Sequence, residues 1–273
     1  MAALGGTVPV ITKLLVGGIN PVVAEGLAIL LSGAIIIPYK PKAIPRGGNA
    51  LLILGISLTG ATLAPVLYFT GIQQSTAVNA ALLGNGEVLF TALIAFGVFH
   101  ESLRRRQLAE GLLIAAGVIV VSTNLQSGVS LGQGVAGNVL LVAASFLWSV
   151  DNNLTRIASH RLGASVIAKF KGLIGGGITT VFLLLSSSIV VSLGALPLIG
   201  VLGGIFACMA VLSAKAFRLI GAVRAILVFS ASSILGPLFA FVVLGETVSL
   251  VQVGGGALIL SGVYLIQRSE TPP

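Results

Sequence analysis

The chain has 273 residues, of which 56% are hydrophobic and only 8% charged, and its mean hydropathy is +1.11. About a quarter of the residues of a soluble globular protein are charged, so this composition excludes a soluble domain. Its apolar runs lack the alternation of a membrane β-barrel, and its 36 glycines are typical of closely packed membrane helices. We therefore predict an all-α polytopic membrane protein.

Ten membrane spans are predicted along the chain, since each spanning helix needs about 20 mainly apolar residues. Division at Gly, Pro and charge clusters gives 1–18, 21–39, 49–70, 76–99, 107–123, 135–159, 164–187, 195–219, 222–244 and 248–266. With a cytoplasmic N-terminus, every Lys and Arg except Lys13 falls on the cytoplasmic side. The net charge of +8 is therefore attributed to membrane orientation rather than nucleic-acid binding, and both termini are predicted to be cytoplasmic.

An internal repeat divides the sequence into two halves, 1–124 and 135–273. A shift of 145 residues aligns "HESLRRRQLAEGLLIAAGVIVVS" (100–122) with "GETVSLVQVGGGALILSGVYLIQ" (245–267), and a two-residue gap extends the match to "TK" (12–13) and "TR" (155–156). Each half holds five predicted spans, an odd number, so the second half must be inverted in the membrane. Inverted repeats are typical of secondary transporters, whose substrate site lies near the midplane where the halves meet.

The blocks "NGEVLFTALIAFGVFHESLRRRQLAEGLLIAAGVIVVS" (85–122) and "FSASSILGPLFAFVVLGETVSLVQVGGGALILSGVYLI" (229–266) resemble the EamA repeat of the drug/metabolite transporter superfamily. Glu87, Glu101, Glu246 and the glycines 117 and 262 stand at the family's motif positions. The sequence departs from the pattern at Val88, where many relatives have proline, and lacks the usual Trp-Gly of the first span. The resemblance implies a ten-helix carrier of amino acids, drugs or other metabolites, in a bacterial or archaeal branch without an assigned substrate.

Glu87 lies at the centre of the fourth predicted span, roughly 16 Å from either end at 1.5 Å per residue. A charged group at that depth costs roughly 2.5–3.5 kcal/mol on insertion scales and is a functional candidate. We interpret Glu87 as the deepest charge of the chain, suited to proton binding or to a cationic substrate. The alternative is a protonated glutamic acid bonded to Asn85, Asn79 or another helix.

The segment "SVDNNLTR" (149–156) carries an acid and two amides into the inner half of the sixth span. Asp151 and Lys171 are predicted to lie at similar depths on consecutive spans, so we expect an ion pair, with Lys169 as a shallower alternative. Lys171, Lys169, Arg156 and Lys13 are the candidates for gates or charge pairs. Two interpretations stay open for Asp151 and Asn152: a clamp near the cytoplasmic gate, or direct substrate contact.

Further polar and aromatic side chains are weaker candidates for lining a central pathway: Tyr68, Trp148, Asn79, Asn85 and Ser232, with Thr59, Gln73, Ser230 and Ser233. Glu101 and Glu246 are expected to cap the turns that follow them. The single Cys208 has no metal-site partner, and the chain shows no nucleophile–base set or phosphate-binding loop. We therefore expect no metal, no cofactor and no enzymatic activity, with proton coupling left open.

The sequence thus predicts a secondary-active exporter of a small organic metabolite that works by alternating access in a prokaryotic plasma membrane. Its partners would be the lipid bilayer and a small-molecule substrate, in a monomer or homodimer. The competing hypothesis is a membrane subunit without transport activity, such as a lipid-handling component that acts with a partner protein.

Overall fold

A computed structural model describes residues 2–39, 44–99, 105–122, 131–185, 191–230 and 232–270, and every regular element in these ranges is helical. The α-helices are α1 (Ala2–Val16), α2 (Pro21–Ile35), α3 (Gly48–Leu58), α4 (Ala64–Gln73), α5 (Ala77–Leu83), α6 (Gly86–Phe99), α7 (Arg105–Ser122), α8 (Leu131–Arg161), α9 (Ala164–Leu185), α10 (Leu196–Ile220), α11 (Ala222–Phe229), α12 (Ser232–Phe239) and α13 (Leu250–Glu270). Short π-helices occupy Thr59–Leu63 and Ala240–Leu244, and a 3₁₀ turn occupies Leu193–Ala195.

Five helical segments of the described chain are long and apolar enough to cross a membrane: Gly48–Gln73, Ala77–Val98, Gly134–Arg161, Ala164–Leu185 and Leu193–Ile220. Five shorter apolar helices, Ala2–Val16, Pro21–Ile35, Ala109–Ser122, Ser232–Leu244 and Leu250–Leu265, fall within the remaining predicted spans. The predicted all-α membrane fold is confirmed. The number of ten spans stays a prediction, because the shorter helices have only 10–17 residues.

Two predicted spans, the fourth and the ninth, are each divided between two helices in the structure. In the fourth span, α5 ends at Leu83 and α6 begins at Gly86, and the turn between them is tightened by the bond from the Glu87 amide to the Gly84 carbonyl at 3.1 Å. In the ninth span, α11 ends at Phe229 and α12 begins at Ser232. The motif Gly-Asn-Gly at 84–86 combines residues with low helix propensity, which accounts for the first interruption.

The helices α7 and α13, which are equivalent under the repeat, pack closely against each other through reciprocal glycine contacts. A Cβ atom built on Gly117 would lie 2.6 Å from the carbonyl oxygen of Gly255, and one built on Gly262 would lie 2.7 Å from that of Glu110. Gly117 and Gly262 are 145 residues apart in the sequence, and so are Glu110 and Gly255. The two contacts are therefore equivalent, as a twofold relation between the halves requires.

The helices α2 and α9 form a second reciprocal pair. A Cβ atom on Gly33 would lie 2.4 Å from the amide nitrogen of Leu173, and one on Gly176 would lie 2.2 Å from that of Leu30. Gly33 and Gly176 are 143 residues apart, as are Leu30 and Leu173, which matches the two-residue gap in the first part of the repeat. Small residues let these backbones approach closely, as is common between membrane helices.

This close approach predicts different effects for alanine at two adjacent glycines of α9. Gly176→Ala forces a methyl group against the Leu30 backbone, so we expect a loss of about 1–3 kcal/mol of stability from overpacking. Gly177→Ala is the matched control, because a Cβ at Gly177 has no atom within 4 Å and alanine favours the helix. Thermal unfolding in detergent should show a lowered midpoint only for Gly176→Ala; equal midpoints for the two variants would contradict the α2–α9 contact.

Candidate functional site

A cavity of about 200 Å³ is lined by residues of both halves of the chain. Its walls are mostly apolar, with a limited set of polar and aromatic side chains. The polar members are Ser32, Asn85, Glu87, Asp151, Asn152, Thr155, Lys171, Ser213, Ser230, Ser232 and Ser233, and the aromatic members are Tyr68, Trp148, Phe206, Phe217 and Phe229. We call this space the central cavity.

Glu87 lies in the first turn of α6, directly after the interruption of the fourth span, and is 8% exposed. A helix N-terminus carries partial positive charge, which favours a carboxylate in that position. The Nδ2 group of Asn152, on α8, donates a hydrogen bond to Oε1 of Glu87. The sequence had offered Asn85, Asn79 or a residue of another helix as the partner of Glu87. The observed partner, Asn152, is on another helix, and the bond joins the two halves of the chain.

Asp151 and Lys171 are in contact, as expected from the sequence: Nζ of Lys171 donates to Oδ2 of Asp151 at 2.5 Å. Thr155 donates from Oγ1 to the other carboxylate oxygen of Asp151 at 3.3 Å. The expectation of Lys169 as an alternative partner is wrong, because its Nζ donates to the backbone carbonyls of Ile37 and Tyr39 at 3.0 and 3.2 Å. Side chains two positions apart in the sequence are separated by about 200° around the helix axis, so Lys169 and Lys171 point in different directions.

The π-helix after α3 fixes the indole of Trp148 at the cavity wall. Within it, the amide of Ala64 donates to the carbonyl of Thr59 rather than to that of Gly60, and Pro65 has no N–H to donate. The carbonyl oxygen of Gly60 is thus left for Nε1 of Trp148, which donates to it at 3.3 Å. A local irregularity of one helix therefore orients an aromatic side chain of another.

Gly60 also makes room for the ion pair. A Cβ atom at Gly60 would lie 2.2 Å from Cγ of Asp151, so only glycine lets the carboxylate approach this helix. Tyr68 packs beside Trp148 with ring centroids 5.2 Å apart and planes tilted by 52°. The cavity thus has an aromatic wall next to its ion pair.

The interruptions of the fourth and ninth spans meet in the structure. Asn85, in the first interruption, donates from Nδ2 to Oγ of Ser233, in the first turn of α12, at 2.5 Å. One turn away along each helix, a Cβ atom on Gly236 would lie 2.5 Å from Cβ of Ala81. Asn85 and the serines, including the predicted Ser232, therefore form one wall of the cavity where the halves touch.

At the end of the molecule that the sequence predicts to face outward, charged side chains hold both sides of the turn between α4 and α5. Lys13 donates from Nζ to the carbonyl oxygens of Ile72, at 2.7 Å, and of Ser75. The Glu246 carboxylate accepts from the backbone N–H groups of the first two residues of α5, each at 3.0 Å. A cation at a helix C-terminus and an anion at a helix N-terminus are both favourable. The prediction that Glu246 caps the turn following it is wrong: it caps a helix of the other half.

Hydrogen bonds between amide side chains lie next to the contacts of Lys13 and Glu246 at the α4–α5 turn. Asn138 accepts at Oδ1 from the Ser75 hydroxyl at 2.6 Å and from Nδ2 of Asn79 at 3.1 Å, while Gln252 donates from Nε2 to Oδ1 of Asn79 at 2.7 Å. Asn79, which was predicted to line a central pathway, and Lys13 are therefore not among the residues that line the cavity. We call Lys13, Ser75, Asn79, Asn138, Glu246 and Gln252 the outer cluster.

Glu25, which is not among the residues predicted from the sequence, is fully buried on α2, and its carboxyl oxygens make no well-aligned hydrogen bond within the described residues. Glu25 is more completely enclosed by protein than Glu87, but it lies only four residues from the start of the predicted span 21–39, so the greater membrane depth of Glu87 stays a prediction. The charge of Glu25 within the apolar run 22–31 was the available signal. Arg156 does not line the cavity, and Glu101 lies outside the described residues. The described residues contain no group of three or more side chains suited to a metal.

The buried ion pair gives a prediction about stability. Lys171→Met leaves the carboxylate of Asp151, which is 5% exposed, without its cation, and breaking a buried pair in this way costs about 3–5 kcal/mol. The double change Asp151→Asn with Lys171→Met removes both charges and should recover much of that loss. Denaturation in detergent of the parent protein, Lys171→Met and the double variant measures the free energy of unfolding of each. A double variant no more stable than Lys171→Met would contradict the pairing.

Comparison with known proteins agrees with this architecture. The EamA-like transporter family matches residues 1–123 and 135–268. An uncharacterized transporter of Methanothermobacter thermautotrophicus is 30% identical over 93% of this chain and 80% of its own length, and one of Archaeoglobus fulgidus is 25% identical over 84% and 80%. A solved crystal structure superposes with a TM-score of 0.69 at 21% identity, covering 99% of this chain and 96% of its own. The chain is thus an integral membrane protein that belongs to the EamA-like transporter family.

Proposed function

We propose that this transporter is a secondary-active carrier that moves a small organic metabolite by alternating access between its two repeats, with export as its direction. The observation that carries the proposal is the central cavity, whose polar groups come from both halves of the chain. A site shared between inverted halves can be exposed to one side at a time.

The packing distinguishes helix contacts that would stay fixed during transport from polar contacts that would open. The glycine contacts between α2 and α9 and between α7 and α13 are too close to admit a methyl group, so we infer that these pairs stay together as pivots. The polar contacts Asn152–Glu87 and Asn85–Ser233 cross the cavity and can exchange for contacts with a solute. Opening to the outside would require the bonds of Lys13 and Glu246 to separate from the α4–α5 turn.

Proton coupling at Glu87 is tested by Glu87→Gln, which keeps the side-chain shape and an oxygen that can accept from Asn152 while removing the titratable group. In proteoliposomes loaded with a pH-sensitive dye, amino acids, amines and sugars are screened for solute-driven proton movement. We expect Glu87→Gln to abolish that movement and Glu25→Gln, at a buried acid outside the cavity lining, to retain it. Unchanged proton movement in Glu87→Gln would refute coupling at this residue, and counterflow without any gradient would identify a facilitative carrier instead.

The outer cluster as a gate is tested by access to the cavity from outside. In a Cys208→Ser background, Ser232→Cys places one thiol on the cavity wall. Removal of both charges, Lys13→Met with Glu246→Ala, should raise its rate of labelling by a membrane-impermeant maleimide. Each charge at a helix end contributes about 0.3–2 kcal/mol, so we expect roughly a tenfold rise, since 1.4 kcal/mol is tenfold in an equilibrium.

The control for the gate is Lys169→Met, which removes a lysine bound to backbone carbonyls elsewhere in the molecule. It should leave the labelling rate from outside unchanged. A rate that stays low when both outer charges are removed would exclude the outer cluster as the barrier.

A further inference from the structure

The charges of the central cavity do not cancel. Its lining contains the carboxylates of Glu87 and Asp151 and, among the described residues, the single ammonium group of Lys171. Asp151 and Lys171 neutralise each other at 2.5 Å. Glu87 is bonded to an uncharged amide, that of Asn152. The cavity is therefore left with one carboxylate whose charge has no counter-ion in direct contact.

We propose that the central cavity takes an organic cation: an ammonium group bound at Glu87, with an apolar or aromatic body against Tyr68 and Trp148. The proposal names a substrate class for the proposed carrier and rests on that function only in treating the cavity as the path of the solute.

The aromatic wall and the carboxylate lie on the same side of the cavity. Trp148 and Asn152 are four residues apart on α8 and so share one face of that helix. Asn152 holds Glu87, and the indole of Trp148 is fixed through Nε1 by the carbonyl of Gly60. A bound ammonium would thus meet a carboxylate and the face of an aromatic ring together, and a cation over such a face gains about 0.5–2 kcal/mol.

Other charge classes fit less well. An anion would be repelled by the Glu87 carboxylate. A zwitterion would need a second cationic group for its own carboxylate, and Lys171 already has Asp151 as its partner. A neutral solute would gain no attraction from the Glu87 carboxylate, which would have to take up a proton or stay charged at a cost in a low-dielectric site. The mainly apolar lining and a volume of about 200 Å³ favour a small amine with one ring rather than a large drug.

Trp148 provides a direct reporter of binding, because it is the single tryptophan of the chain and lines the cavity. Its fluorescence is titrated at neutral pH in detergent with four solutes of similar size: phenethylamine, 2-phenylethanol, phenylacetate and phenylalanine. We expect a saturable change with the amine and at least tenfold weaker binding of the alcohol, the anion and the zwitterion. Equal or tighter binding of any of those three, or no saturable binding of phenethylamine, overturns the proposal.

Two variants then test the role of the carboxylate. Glu87→Gln should weaken phenethylamine binding at least tenfold, whereas Glu25→Gln, which neutralises a buried acid outside the cavity lining, should bind it like the parent protein. Equal weakening by both, or by neither, overturns the assignment to Glu87. The comparison of four solutes on the parent protein holds even where Glu87→Gln does not fold. Binding without any flux of labelled phenethylamine into proteoliposomes would refute the transport function while leaving the cation site in place.

Discussion

The absence of water in the hydrocarbon region is the constraint on which the rest of this structure depends. A polar group there is costly unless it finds a partner within the protein. Glu87 finds Asn152, Asn85 finds Ser233, and the Glu246 carboxylate finds the amides that open α5. All three contacts join the first half of the chain to the second. The desolvation of polar groups therefore draws the two repeats together at the positions where the proposed transport cycle must separate them.

Local breaks in the regular helices position the polar and aromatic side chains of the central cavity. The interruption before α6 presents the start of a helix to the carboxylate of Glu87, and the π-helix at Thr59–Leu63, followed by Pro65, frees the carbonyl that holds Trp148. Irregular backbone at membrane depth is tolerated where it is enclosed by protein or lines a cavity. The helices that pack through reciprocal glycines remain regular, so rigid contacts and adaptable ones are separated along the chain.

The features that could be predicted from the sequence depend on composition and local spacing. Hydropathy indicated the helical membrane fold, and helix depth brought Asp151 and Lys171 together. The repeat of 145 residues paired Gly117 with Gly262, but their reciprocal helix contacts were seen only in the structure. The partner of Glu87 could not be derived, because it depends on how α6 and α8 pack. The interruption at 84–86 was readable from its Gly-Asn-Gly motif but was overridden by the apolar run around it. Glu25 was overlooked although its charge is plain in the sequence.

The repeat also relates the charged residues of the two ends. Lys13 and Arg156 are 143 residues apart, and Glu101 and Glu246 are 145 apart, so each residue of the outer cluster that bears a charge has a charged equivalent in the other half. Under the proposed alternating access, a twofold relation exchanges the roles of the two ends when the transporter changes state. Lys13 and Glu246 hold the α4–α5 turn in this structure; Arg156 and Glu101 are then the residues expected to hold the equivalent turn between α10 and α11 in the opposite state. The asymmetry lies in Asp151 and Asn152, whose counterparts in the first half are Val8 and Pro9. These two polar residues of the cavity are therefore specific to the second repeat, while the closing charges are common to both.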